Sequence, residues 1–279
     1  MTGDGHADIL LTSRQRTSTT ALLTDAAVRR GMDVRPLGGD LHELEELAGS
    51  RPVHWYGGSL AADRIAGRLG LGLLEPPDDW LVRLPAEFSG RRIELTTLSE
   101  AWSARTPVFV KPPSDKSFPA AVYADGSRLP RSGEGVGPDT SVLVSEVVTF
   151  TVEYRLFLLD RRIVTASRYA VHGRLDTAPL HRDGHEREVR AFTERLLAAT
   201  GEDLPGAVSV DVGFLPDPET GRESWAAVEA NMPWFANSYA ADPDHVLDVI
   251  LGATGPLHQF SDADRPFLRP APMHDREST

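Results

Sequence analysis

The chain has 279 residues, 41% of them hydrophobic and 25% charged, with a formal net charge of −12. That length supports one large or two small globular units with proper cores, and the acidic balance argues against binding bare nucleic acid or an anionic membrane. Cysteine is absent, which removes disulfides, thiolate metal sites and cysteine nucleophiles. No apolar run has membrane-spanning length and the N-terminus lacks the regions of a signal peptide, so a cytoplasmic location is expected.

In chain order, residues 9–12 read as a short buried strand. Residues 18–30 carry a helical pattern stopped by Gly31, and 32–37 and 53–56 read as two further strands. The last of these ends in Gly57-Gly58, a tight turn, and a helix over 59–69 follows. Strands alternating with helices predict a small layered α/β unit, roughly half the Rossmann size. The run Glu75-Pro76-Pro77-Asp78-Asp79 has the composition of a boundary. It divides a first domain over 1–78 from a second over 79–268, and the polar tail 269–279 is expected to be flexible.

Ser99 reads as the N-cap of a short helix through 104. A strand over 107–111 then delivers Lys111 at its end, fixed between Val108-Phe109-Val110 and Pro112, with Lys116 in the loop beyond. Such lysines either act as point charges on phosphates or are ordinary solvated side chains. Residues 140–148 form a strong strand that carries Glu146. Residues 153–159 and 162–169 form a strand pair turned by Asp160-Arg161. Glu153 and Arg155 share a face of the first strand. On the second, Ile163, Thr165 and Ser167 share one face, and Arg168 lies on the other with Val164. Charges on strands that look buried need partners, either one another or a charged ligand. Residues 173–184 read as a polar loop, 186–200 as an amphipathic helix, and Asp242-Pro243 as the start of a last helix.

The most informative stretch is Ser209-Val-Asp211-Val-Gly213, followed by Glu229-Ala-Asn231. Both halves alternate with a strand period, and 216–222 between them is dense in turn formers, which predicts an antiparallel hairpin. Glu229 and Asn231 share a face, and Asp211 can join them from the partner strand. Two carboxylates and an amide oxygen suit a hard cation such as Mg²⁺, which is usually shared with nucleotide phosphates. The plain alternative is an acidic solvent face. Two facing carboxylates repel in the absence of a cation, so removing Glu229 is expected to raise ligand-free stability.

Together these residues resemble the ATP-grasp superfamily over roughly 107–251. Val110-Lys111-Pro112 is similar to that family's lysine strand on the nucleotide phosphates. Val144-Ser145-Glu146-Val147-Val148 is similar to the strand whose glutamate and backbone edge read adenine. Glu153 stands where the family places a carboxylate on the ribose hydroxyls. Asp211, Glu229 and Asn231 look like its magnesium set, through which Asp211 and Glu229 also serve the nucleotide. Arg155 and Arg168 look like the arginines that, with Lys111, neutralise the transferring phosphate and the acyl phosphate. Two stretches depart from the family pattern. Residues 112–118 replace a glycine-rich phosphate loop, with Lys116 as a candidate phosphate contact. Met232-Pro233-Trp234-Phe235-Ala236-Asn237 replaces a small, glycine-bearing segment. An upstream lysine is not evident, and Arg83 or Arg92 are its stand-ins. The pattern is similar to a compact bacterial and phage clade with an arginine and two lysines.

The resemblance implies an α/β (α+β) ATP-grasp fold preceded by a small Rossmann-like domain, with ATP and Mg²⁺ as cofactors. It implies a ligase that joins a carboxylate to an amine through an acyl phosphate and releases ADP and phosphate. The partners would be small-molecule or peptide acids and amines. A small-molecule kinase and a non-catalytic nucleotide-binding module are the alternatives. A homodimer is compatible with the chain.

Overall fold

The computed structural model describes residues 7–38, 41–113, 117–131, 136–216 and 223–270. The first elements are β1 (Ile9–Thr12), α1 (Ser18–Arg29), β2 (Asp33–Pro36), α2 (Leu41–Ala48), β3 (Val53–Tyr56) and α3 (Ser59–Leu69). The three strands form a parallel sheet in the order β2-β1-β3. Thr17 caps α1 by accepting from the Thr20 amide, and Leu23, Ala26 and Ala27 recur at helical spacing to face the core. Gly31 takes φ +76° just past the helix, as its stop requires. Helix α2 escapes a sequence reading because Leu44 is its one fully buried residue and glutamates surround it.

β4 (Leu71–Leu73), α4 (Trp80–Arg83) and α5 (Ala86–Ser89) lead into β5 (Ile93–Thr97), α6 (Leu98–Ala101), β6 (Val108–Lys111), β7 (Ala121–Tyr123) and β8 (Ser141–Ser145). Strands β5 to β8 make an antiparallel sheet in the order β5-β8-β6-β7. The N-cap of α6 is Thr97 and not Ser99. Its hydroxyl accepts from the Glu100 amide while the Glu100 carboxylate accepts from the Thr97 amide. This reciprocal pair satisfies two orphan donors, where Ser99 would satisfy one.

β9 (Val152–Leu159), β10 (Arg162–Val171), β11 (Arg174–Pro179), α7 (Glu186–Thr200), β12 (Ala207–Pro216), β13 (Glu223–Asn231), α8 (Pro243–Ala253) and β14 (Thr254–Pro256) complete the chain. An antiparallel sheet runs β11-β10-β9-β12-β13. Asp160 and Arg161 turn β9 into β10 with φ of 48° and 60°, the left-handed pair of a tight hairpin. The first half of the stretch read as a polar loop is β11. Its residues from Arg174 to Thr177 are exposed, because one side of an edge strand faces solvent. The turn over 217–222 lies outside the described residues.

Along β12, Val208, Val210 and Val212 point into a core under α7, with Tyr154, Leu156, Val189, Phe192 and Trp80. The opposite face carries Ser209 and Asp211. A second core joins the parallel sheet to Phe157, Ala207, Trp234 and α8, and β14 pairs with β4. The N-terminal unit is therefore packed against the larger sheet. Arg269, placed in a flexible tail by composition, is clamped: its guanidinium donates to Asp63 at 2.8 and 3.0 Å and pairs with Glu75. Residues 271–279 lie outside the described residues. Among the described residues no helix is long and apolar enough to cross a membrane.

Candidate active site

The four-stranded and five-stranded sheets face each other across a cleft. Lys111, at the end of β6, donates from Nζ to the Glu229 carboxylate on β13. Asn231, two residues on, donates from Nδ2 to Glu229 Oε1 at 2.8 Å. On β9, Arg155 holds Asp211 of β12 in a two-point grip, Nε to Oδ1 at 2.8 Å and Nη2 to Oδ2 at 2.6 Å. Nη2 also lies 3.7 Å from Glu229. The register explains this grouping, since Asp211 stands opposite both Arg155 and Glu229, and Ser209 opposite Asn231. Residues paired across strands share a face.

The hairpin thus brings Asp211, Glu229 and Asn231 together, but not as three free ligands. The Asp211 side chain is 1% exposed and Arg155 occupies both its oxygens. Among the described residues no group of three or more acidic, histidine or cysteine side chains is placed to hold a metal. Asp211 is therefore corrected from a metal ligand to the counter-ion of Arg155. Glu229 and Asn231 keep oxygens at the cleft, and those two fit a cation that takes its remaining ligands from phosphate and water.

Burial and charge compete at these groups. Burial would raise the Glu229 carboxyl, but Lys111 and Arg155 pull it down to about 2. Asp211 is pushed by burial up to about 6 against the pull of Arg155. Burial also raises Glu153, which accepts a hydrogen bond from the Tyr169 hydroxyl at 2.7 Å.

On one side of the Lys111–Glu229 pair lies a cavity of about 170 Å³. Ile93, Phe109, Leu143 and Val228 give it apolar walls, and Glu146, Val147, Val148 and Glu153 also line it. β8 ends at Ser145, and the Glu146 carboxylate accepts from the Arg92 amide at 3.0 Å. The backbone of Val147 and Val148 makes no hydrogen bond among the described residues. That leaves a bare peptide edge over an apolar slot. On the other side lies a cavity of about 440 Å³ that shares Lys111 and Glu229 and adds Arg155 and Asn231. Lys116 lies outside the described residues.

Two assignments from sequence move. Arg168 stands opposite Tyr154, while Ser167 stands opposite Arg155. Arg168 is consequently on the far face of the sheet, donating to Asp183 at 2.5 Å and Asp176 at 2.7 Å. It is not brought to the cleft. Of the upstream stand-ins, Arg83 pairs with Asp79 and Asp203, and Arg92 is exposed beside Glu94. The basic residue that enters the cavity is Arg91. It donates to the carbonyls of Ala227 at 2.8 Å and Val228 at 3.1 Å.

Local structure accounts for Arg91. Asp211 pairs with Glu229 and Val212 with Ala227, so Val228 is the extra residue of a bulge whose carbonyl is turned out of the ladder. Gly90 ends α5 at φ +62°, and a Cβ there would lie 2.9 Å from the Ala226 Cβ. Only glycine allows that close approach, which sets Arg91 against β13. Burial lowers the Arg91 guanidinium to about 10, opposed by Glu229 and Glu153. Strand periodicity does not find Arg91, because it precedes a strand; Gly90 beside it was the available signal. Tyr169 and Tyr239 were also missed. Their rings stack at 5.1 Å, and the Arg155 guanidinium lies 5.7 and 5.3 Å from them.

The model of the ATP-grasp domain, family 2 of the clade with an arginine and two lysines, matches residues 88–249, and the chain belongs to that family. The fold is that of D-alanine–D-alanine ligase from Bacillus anthracis, at 14% identity over 89% of this chain and 97% of that one, TM-score 0.52. The same enzyme complexed with ATP matches at 13% identity over 89% and 97%, TM-score 0.51. A RimK domain ATP-grasp protein from Sphaerobacter thermophilus matches more loosely, at 16% identity over 88% and 98%, TM-score 0.46. No curated protein matches the sequence.

Proposed function

We propose that the chain is an ATP-dependent ligase that joins a carboxylate to an amine. The observation that carries this reading is the Lys111–Glu229 pair, shared by two cavities of different chemistry. The smaller cavity suits a nucleoside. Its apolar walls would sandwich adenine, the free peptide edge at 147–148 would pair with the base, and Glu153 would accept from the ribose hydroxyls. Lys111 and Arg91 would meet the phosphates at the junction. A ligase of the same fold is known with ATP bound, which supports this placement.

Glu229 and Asn231 would hold Mg²⁺, which when bound neutralises phosphate charge and aligns the terminal group. Lys111 and Glu229 neutralise each other in the structure, so phosphate and cation would each take one partner of an existing pair. Arg155 opens on the larger cavity, where an acceptor carboxylate would lie. Its oxygen attacks the terminal phosphorus as the bond to ADP breaks, giving an acyl phosphate. An amine then displaces inorganic phosphate and loses a proton. Charge neutralisation and alignment are what this chemistry needs from a protein, with no covalent nucleophile.

The test supplies ATP, Mg²⁺, hydroxylamine and a panel of amino acids, peptides and organic acids. A ligase yields a hydroxamate, with ADP release that depends on both acid and hydroxylamine. A phosphorylated acceptor that accumulates with ADP and ignores amines would establish a kinase instead. Nucleotide binding with no turnover on any acceptor would leave a binding module. A second expectation concerns Arg91. Arg91→Met should weaken ATP binding by about 1–3 kcal/mol, the worth of a charge-assisted hydrogen bond. Calorimetric titration measures this, and an unchanged affinity would remove Arg91 from the phosphate contacts.

A further inference from the structure

The larger cavity constrains which acid the chain takes, given the ligase reading on which this inference rests. Its volume of about 440 Å³ lies in the range that encloses a small-molecule body. Its cationic end is Arg155, a buried residue whose Nε and Nη2 are committed to Asp211. Nη1 makes no hydrogen bond among the described residues, which leaves a donor edge for an incoming carboxylate.

The rest of the lining is apolar: Pro112, Pro113, Phe118, Met232, Phe235 and Ala236 among others. Phe118 and Met232 are themselves core residues, so these walls are rigid. Among the described lining residues Glu229 is the single acid, and it is already engaged by Lys111 and Asn231. A substrate ammonium would lose its water here with no counter-ion to replace it, which is costly. An apolar body loses nothing and gains contact.

We propose that the acid substrate is a carboxylate on an uncharged, apolar body, such as an aryl, alkyl or N-acylated acid, and not a free α-amino acid. The carboxylate sits at Arg155 and Lys111, and the body lies against Phe235 and Phe118. The reaction is the one already balanced: phosphoryl transfer to the carboxylate oxygen, then displacement of phosphate by the amine.

The experiment offers matched pairs to the full chain: N-acetylphenylalanine against phenylalanine, N-acetylalanine against alanine, and 3-phenylpropionate. Hydroxamate formation is measured with ATP, Mg²⁺ and hydroxylamine, and binding by calorimetry with ADP and Mg²⁺. The capped acid of each pair should react and bind at least about tenfold better than the free amino acid, a difference of about 1.4 kcal/mol. Phe235→Glu, which places a carboxylate on the wall, should narrow or invert that preference. Phe235→Ala should weaken N-acetylphenylalanine without changing ATP affinity. Preference for the free amino acids, or a selectivity that neither variant moves, would overturn the assignment. Selective binding of the capped acids with no hydroxamate would support the pocket's chemistry while removing the ligase reading, so the two failures are distinguishable.

Discussion

Arg155→Met should destabilise the fold by about 3–5 kcal/mol, the cost of leaving a buried charge without its partner. Asp211 is fully enclosed, and both its oxygens are satisfied by Arg155 alone among the described residues. Methionine fills a similar volume but supplies no donor. Urea unfolding at neutral pH measures the loss, and Arg155→Met combined with Asp211→Asn should recover most of it.

The pH dependence has a definite sign. The Asp211 carboxyl is already raised to about 6 by burial, and without Arg155 it rises further. A carboxyl raised in the folded state binds its proton there more tightly than in the unfolded chain, so folding is favoured at low pH and weakened as pH climbs through the folded value. The deficit of Arg155→Met should therefore shrink on acidification from pH 8 towards pH 5. A variant as stable as the parent at pH 7.5 would show that the pair is not structural.

Glu229→Gln should lower ADP formation by at least about 100-fold, the scale of losing a group that stabilises charge in phosphoryl or acyl transfer. Its effect on stability reverses the expectation from repelling carboxylates. Lys111 and Arg155 lie closer to Glu229 than any repulsion can offset, and they hold its carboxyl at about 2. The depressed value means stabilisation that is full above the unfolded value of about 4.3 and lost as pH falls towards about 2. Gln should cost about 2–3 kcal/mol between pH 5 and 7, and the gap to the parent should close at lower pH. A gain in stability at pH 7 would restore the repulsion argument. Turnover at the parent rate would remove Glu229 from the phosphate end of the cleft.

Much of the site was legible because strand geometry is local. The period of two puts Glu229 with Asn231, and Glu153 with Arg155, whatever the rest of the chain does. The apolar run before Lys111 and the proline after it place that lysine at a strand end for the same reason. The turn formers at Asp160-Arg161 and the cap at Asp242, which accepts from the Asp244 and His245 amides, are likewise properties of a few neighbouring residues.

What strand periodicity leaves open is which face meets which. Arg155 and Arg168 each have a defined face on their own strands, but the register between strands decides whether those faces coincide. With Ser167 opposite Arg155, they do not. Arg155 lies 56 residues from Asp211, and Lys111 lies 118 from Glu229; no local pattern encodes such pairs. Asp211 looked like a metal ligand in sequence because its partner could not be seen. Arg91 became a site residue only through a bulge at Val228 and a glycine packed against Ala226. The sequence by itself determined the strands, the acids and the cations, because backbone period and turn chemistry act between neighbours. Tertiary structure alone decided which cation neutralises which acid, because that depends on register and on burial, and both are set by residues far apart in the chain.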